Sequence, residues 1–549
     1  MHGWLQSTLV VAVVVGLHVP LGDHLARVLD GDRHTRAERV LYRFCGVDPH
    51  REQDWRHYLT ALLAFSAAGV LALFVLFTLQ GRLPWSTGHP GMPWRLALHT
   101  AVSFTTNTSW QNYVAEDTTG HLAVMAGLGT QAFASAAVGV CVALALIRGL
   151  VRRDTDHLGN FWVDLTRTLF RVLLPLAVVT GLVFIALGVP QNLDAPQPLT
   201  TVTGGTQSLP GGPVGSWESI KPMSGDGGGF FNASSAHPFE NPSAWSHALS
   251  VVLMLLIPTA LLRTYGRLVG STRQGWTLLA VAGALFTLLA VAGSAAQGAA
   301  GGTVPQAVGG SYEGTETRIG VAGSTLFGLA ATASADGASG ASYDSFTAFG
   351  GGVLLSAMML GEIAPGGTGS GLYGLLAAVL VAVFIGGLMV GRTPEYLGKR
   401  LGHHEIRYVA LYTLVAPATI LLSAALALAL GHGRSSMGEP GPHGLTELVY
   451  AYTSSTVSNG SAMAGFNGAT DFHHLLMSAV MLLGRYLPMV FLLALAGRLA
   501  RGRSTATTAG TLRTTGVTFV ALATGVALLS ALLNHLPVLS LGPLAEGLR

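Results

Sequence analysis

The stretch SGDGGGFFNASSAHPFENPS, Ser224 to Ser243, sets four glycines, an aspartate, two asparagines and two prolines between long apolar runs. The chemistry it can offer is that of the backbone itself. Glycine allows successive carbonyls to be lined up through backbone angles that a side chain resists. A ring of such dipoles can replace the water shell of a desolvated cation. Three other segments are built alike: LALHTAVSFTTNTSWQNY (96–113), STLFGLAATASADGASG (324–340) and LTELVYAYTSSTVSNGSAMAG (445–465). Each is semi-apolar, ends in small polar residues and is too short to cross a bilayer, so each reads as a re-entrant hairpin. Non-helical backbone at membrane depth must be buried in protein or line a wet cavity. Four such loops meeting on one axis would surround it with carbonyls, and a helix before each loop with its C-terminal end pointing inward would add partial negative charge. The glycines shape this cage and the polar side chains brace it.

Other chemistries find no support. Gly225-Asp226-Gly227-Gly228-Gly229-Phe230 has Phe230 where a dinucleotide fingerprint needs its third glycine, and no strand precedes it. Asn107, Asn232 and Asn459 each begin an Asn-x-Ser sequon by chance, since a glycan has no room inside a dipping loop. The two lysines, Lys221 and Lys399, form no Gly-Lys-Ser/Thr phosphate loop; no Asp-Lys-Thr-Gly phosphorylation motif occurs, and no loop is long enough for a nucleotide domain. The chain is therefore not expected to hydrolyse ATP or bind a nucleotide itself. Cys45 and Cys141 have neither ligand nor disulfide spacing.

These loops need a membrane frame, and composition supplies one. Half of the 549 residues are hydrophobic, 10% are charged, and mean hydropathy is +0.51, which marks a polytopic membrane protein in contact with lipid. A net charge of +3 gives no reason to expect nucleic acid as a partner. Runs of about 20 apolar residues fall near 4–21, 58–80, 121–147, 168–189, 245–262, 276–297, 346–391, 406–430, 472–497 and 515–535. The seventh is too long for one straight helix and is interrupted by GEIAPGGTGSG, Gly361 to Gly371. The loops after spans one, three, five, seven and nine carry 23 of the 30 basic residues. The positive-inside rule holds for that bias only if the seventh run crosses once, as a broken helix. The first span has its basic cluster behind it (Arg27 to Arg56), so it reads as a retained helix rather than a cleaved signal.

The expected fold is an all-α polytopic membrane protein of ten spans with both termini outside. Four span–loop–span repeats surround a pseudo-fourfold axis, with one extra span at each end. The units are 1–56 (first span and basic loop), 57–150, 151–270, 271–400 and 401–500 (the repeats), and 501–549 (last span). The dipping loops are placed at 105–113, 224–233, 332–340 and 453–461, and the broken helix at 361–371. Arg485, in MLLGRYLPMV inside the ninth span, needs a partner at that depth. The carbonyls of the break at Gly366, Gly367 and Gly369, or the Glu362 carboxylate, are the expected ones. Loop and arginine together would form a positive, narrow gate on the basic side of the loops.

At TNTSWQNY (106–113), GGGFFNASSAHPFENP (227–242), DSFTAFGG (344–351), GSGLYG (369–374), GRTPEYLGK (391–399) and NGSAMAGF (459–466) the chain resembles the potassium-binding A subunit (KdpA) of the bacterial Kdp potassium-transporting P-type ATPase, over its whole length. The resemblance implies a channel-like subunit related to the Trk, Ktr and HKT transporters, in the bacterial cytoplasmic membrane, which binds extracellular K+ in a four-loop filter. It implies the catalytic P-type ATPase subunit of the Kdp complex (KdpB) as the source of energy, with an accessory subunit (KdpC) and a further small one (KdpF). Carried over by position, the filter carbonyls belong to Asn107, Thr108 and Ser109; Gly225, Asp226 and Gly227; Asp336 and Gly337; and Ser458, Asn459 and Gly460. Gln111 and Gly228 flank them. The chain departs from the family pattern at Ser109, at Gly225-Asp226, at Asp336 and at Val457-Ser458, which bears on affinity and selectivity. Two rival readings are a stand-alone potassium channel or uptake protein of the Trk/Ktr type driven by membrane potential, and an assembly subunit with inert loops.

Overall fold

A helix satisfies its backbone polar groups internally, as lipid requires, and among the described residues ten helices are long and apolar enough to cross a membrane. The computed structural model describes residues 2–31, 33–299, 307, 310–503 and 512–548. Part of the expected C-terminal unit, 504–511, lies outside the described residues. The ten helices are Leu5–Leu29, Trp55–Arg82, Ala123–Val151, Phe161–Ala186, Ala244–Leu268, Thr272–Gly298, Ser370–Met389, His403–Ala429, Asp471–Arg501 and Val517–Leu541. The chain is a multi-pass membrane protein. The third and fifth spans are its middle, 89% and 78% buried over their most apolar stretches, whereas the second and tenth are 22% buried and turn outward.

The first helix continues to Leu29 rather than stopping near Leu21. Its polar last turns are paired: Asp23 accepts from Arg263 Nε at 2.9 Å, and the Gly22 carbonyl accepts from Thr264 Oγ1. The basic loop that follows contains a helix, Arg36–Phe44, which hydropathy does not suggest. Thr35 and Glu38 form its capping box, and Glu38 is held by Arg171 of the fourth span. A second departure is a small antiparallel hairpin, Gln197–Thr200 with Thr206–Leu209, after the fourth span.

The apolar run 346–391 is interrupted. Ala348–Met359 and Ser370–Met389 are separated by a non-helical loop over 360–369.

Four buried short helices precede the four glycine-bearing or polar loops: Trp94–Thr105, Val214–Ser224, Gly320–Ala333 and Pro442–Val457. The loops are shorter than expected at their starts. Residues 453–457, 332–333, 224 and 105 are helical. The run Thr453-Ser454-Ser455-Thr456 looks like loop by composition, but the hydroxyls of Ser455 and Thr456 turn back onto the helix, while Ser454 Oγ accepts from the Gly460 amide at 2.9 Å. Ser455 Oγ donates to the Ala451 carbonyl at 2.8 Å and Thr456 Oγ1 to that of Tyr452 at 2.7 Å.

Candidate functional site

The four short helices end in one and the same way. The amides of Thr108, Asp226, Asp336 and Asn459 donate to the carbonyls five residues earlier, those of Ser103, Lys221, Ala331 and Ser454, at 2.9, 3.5, 3.0 and 2.9 Å. On either side of each stands a residue of positive φ: Asn107 and Ser109 (61° and 51°), Gly225 and Gly227 (61° and 63°), Ala335 and Gly337 (59° and 74°), Ser458 and Gly460 (67° and 95°). Alternating handedness makes successive peptide dipoles converge on one side instead of pointing alternately to both.

The four loops also touch in a closed cycle. A Cβ added to Gly227 would lie 2.7 Å from the carbonyl carbon of Asp336, one on Gly337 2.9 Å from that of Asn459, and one on Gly460 3.0 Å from that of Thr108. From the first loop, Ser109 lies against the second, its Cβ 3.4 Å from where Gly228 would carry one. Loop one therefore meets loop two, two meets three, three meets four, and four returns to one. Glycine is needed at 227, 337 and 460 on two grounds, positive φ and the next loop's carbonyl in the space a methyl would fill.

Side chains brace this ring from behind. Asn107 takes the Ser135 hydroxyl on its Oδ1 and donates to the Gly225 carbonyl. Gln111 Oε1 accepts from the Gly229 amide at 2.9 Å, and Asn459 Nδ2 donates to the Ala331 carbonyl at 3.0 Å. Asp336 Oδ1 accepts from the Ala338 amide at 3.1 Å. Asp226 and Asp336 are both fully buried, so neither carboxylate stands at a solvent-facing mouth. Ala335 completes the third loop's backbone pattern and escapes sequence reasoning, because alanine carries no sign of a left-handed position.

The break in the seventh span packs against the loop bases. Gly366 N donates to the Ala333 carbonyl at 2.9 Å and Thr368 Oγ1 to that of Met223 at 3.1 Å. A Cβ on Gly367 would lie 2.9 Å from that of Ala335, and Gly369 sits directly on the backbone of Gly139. The expected partners of Arg485 need correction. Its Nη2 donates to the carbonyl of Ser135 on the third span, at 3.2 Å, while Glu362 Oε1 accepts from Asn459 Nδ2 at 2.9 Å. The reason is the small-residue face of the third span: a Cβ on Gly139 would be only 3.3 Å from Arg485 Nη2. Arg485 is 5% exposed and far from either end of its helix, so it does not reach the membrane surface. It borders, with Glu362, Ser458, Tyr373, Tyr412 and Asn534, a cavity of about 150 Å³.

Sequence reasoning also missed what holds the second loop. Lys221, fully buried, donates to Glu240 Oε2 at 2.6 Å and to Ser235 Oγ at 2.7 Å, and pairs with Glu218 at 2.6 Å. Glu240 Oε1 in turn accepts from the Phe231 amide at 2.7 Å. The spacing Glu218–Lys221 puts both on one face of a helix, but nothing in the sequence says that Glu240 folds back to them.

The family model described as potassium-transporting ATPase A subunit (KdpA) matches residues 8–548. The chain is 50% identical to the potassium-transporting ATPase potassium-binding subunit of Clavibacter michiganensis subsp. michiganensis, across 100% of this chain and 99% of that one. It is 49% identical to the subunit of the same name from Kineococcus radiotolerans, across 100% and 98%. Among solved structures, the potassium transporter TrkH from Vibrio parahaemolyticus superposes with a TM-score of 0.55 at 15% identity, covering 89% of this chain and 98% of that one, a likeness of fold.

Proposed function

The chain belongs to the potassium-transporting ATPase A subunit family (KdpA), and on that premise we propose that it is the potassium-binding, non-hydrolytic subunit of an ATP-driven uptake complex. Its four loops form a selectivity filter for extracellular K+, and the bound ion passes to a catalytic P-type ATPase subunit (KdpB), with KdpC and KdpF as accessories. The observation that carries the filter reading is the closed cycle of four loops with one backbone pattern, Asn107–Ser109, Gly225–Gly227, Ala335–Gly337 and Ser458–Gly460. Carbonyls held in such a ring substitute for the hydration shell of a cation. Side-chain donors fix the loops in place, Asn107 on the Gly225 carbonyl and Asn459 on the Ala331 carbonyl of the third short helix. Four span–loop–span units about a pseudo-fourfold axis, with a further span at each end, follow from the same pattern. The distribution of arginine supports a cytoplasmic-membrane orientation with both termini outside.

Arg485 and the break loop Gly366–Gly369 serve as the gate in this reading. A guanidinium at membrane depth, with Glu362 nearby, opposes a cation leaving the filter straight through and favours its diversion to the partner.

Calorimetric titration of the purified chain with K+ and with Na+ tests the filter. Saturable K+ binding that Na+ does not compete for is expected, and its absence would reduce the loops to inert structure. Potassium current from the chain alone in a planar bilayer would instead favour the stand-alone, potential-driven channel.

A further inference from the structure

We propose that Asp344, His443 and Glu447 form a divalent transition-metal site of the zinc class, oriented by Glu546. One ligand atom from each of the three residues lies within 4.8 Å of the others. His443 Nε2 is 3.3 Å from Asp344 Oδ1 and 3.9 Å from Glu447 Oε1. Ligands about 2.0–2.1 Å from a tetrahedral zinc are about 3.3–3.4 Å apart, so the His443–Asp344 edge already fits, the His443–Glu447 edge needs a shift of roughly half an ångström, and the Asp344–Glu447 edge is no longer than 4.8 Å.

Three features separate this cluster from a chance gathering of acids. First, the other ring nitrogen, Nδ1, is 3.0 Å from Glu546 Oε1. A histidine that donates Nδ1–H to a carboxylate presents the Nε2 lone pair outward, the arrangement found behind metal-bound histidines. Second, Glu447 has a fully buried side chain, and its Oε1 has no hydrogen-bond partner among the described residues, whereas Oε2 is anchored on the Gly438 amide at 2.7 Å. That Oε1 points into the cluster, in space left free by Gly465, whose added Cβ would also meet Asp344 Oδ2 at 3.1 Å. Third, the carboxylates of Asp344, Glu447 and Glu546 surround a single imidazole, so with the ring neutral, as a metal ligand must be, the group carries negative charge that a divalent ion would balance. Asp344 and His443 keep 20% and 21% of their surface exposed, which leaves an ion a way in.

The placement gives the ion a structural consequence. His443 and Glu447 stand one turn apart at the start of the helix Pro442–Val457, Asp344 follows the third dipping loop, and Glu546 belongs to the C-terminal helix Pro543–Gly547. A bound ion would tie these three parts together at the end of the molecule away from the gate.

The test is a zinc titration by calorimetry of the full-length, chelator-stripped chain in detergent, beside its thermal unfolding with and without Zn2+. One equivalent of zinc should bind and raise the unfolding midpoint. His443→Gln and Glu447→Gln should each weaken binding at least about a hundredfold, and Glu546→Gln about 10- to 100-fold, as expected for an orienting partner. Asp344→Asn serves in place of either variant that fails to fold. Absence of a one-to-one site, or zinc affinity retained in either ligand variant, overturns the proposal and leaves a salt cluster only.

Discussion

Replacing Gly460 by alanine puts a methyl group where the carbonyl of Thr108 in the neighbouring loop now lies. The added Cβ would be 3.0 Å from the Thr108 carbonyl carbon and 3.4 Å from that of Ser109. Carbon atoms rest about 3.5–4.0 Å apart, and the Thr108 carbonyl oxygen lies closer still to the added methyl, so the carbonyl must retreat by more than about 1 Å. Alanine at φ 95° adds backbone strain, roughly 1–2 kcal/mol in the left-handed region. If that carbonyl is an ion ligand, its loss is comparable to that of a hydrogen bond to a charged group, about 1.5–3 kcal/mol. At about 1.4 kcal/mol per factor of ten, potassium affinity should fall roughly 10- to 100-fold, with discrimination against rubidium or sodium relaxed. Gly227→Ala and Gly337→Ala should behave alike, since each faces the next loop in the same way. Gly225→Ala is the comparison. Its Cβ would come no closer than 3.2 Å to a neighbour, the Ser334 carbonyl, and the matching positions in the other loops already hold Asn107, Ala335 and Ser458. Its affinity should stay within about threefold. The assays are potassium calorimetry on the purified chain and the potassium dependence of uptake in cells lacking other transporters. Unchanged affinity and rubidium response in Gly227→Ala, Gly337→Ala and Gly460→Ala would refute the filter assignment.

Asp336→Asn should alter the apparent potassium constant equally at low and high ionic strength, because the carboxylate is buried and braces an amide; an effect confined to low salt would mean that it acts as an exposed field. Arg485→Gln, or a deletion within Gly366–Gly369, should admit an ATP-independent potassium leak or uncouple ATP turnover from uptake, measured as tracer flux in proteoliposomes holding the complex. If both variants stay tight and coupled, Arg485 is a packing residue on Ser135. Lys221→Met should destabilise the chain by about 3–5 kcal/mol, since it strands Glu218 and Glu240 as buried charges; the thermal midpoint in detergent reads this, and the triple change with Glu218→Gln and Glu240→Gln should recover part of the loss. Chelation of the wild-type chain should lower its midpoint wherever zinc occupies the His443 site, and leave the His443→Gln variant unmoved.

How much of this was legible in the sequence depended on how local the cause was. Lipid demands a long apolar helix, so the ten apolar helices and the interruption of the run 346–391 follow from hydropathy alone, with ends displaced where Asp23 finds Arg263 or where Thr456 bonds back to its own helix. The glycines at 227, 337 and 460 announced unusual backbone, because few other residues take those angles. Ala335 adopts the same angles unannounced, held by the helix end before it and by the break loop packed beside it. Which carbonyl Arg485 would take was not decided by Arg485 either. It was decided by Gly139 and Ser135, some 350 residues away in sequence, whose lack of bulk leaves the third span's backbone open. The Lys221 cluster and the Asp344–His443–Glu447 group belong to the same class. Residue type and helix spacing put pairs such as His443 and Glu447 on one face, but only the packing of distant segments brings the third and fourth members within bonding distance, since a buried charge takes whichever partner the close-packed interior leaves within its reach.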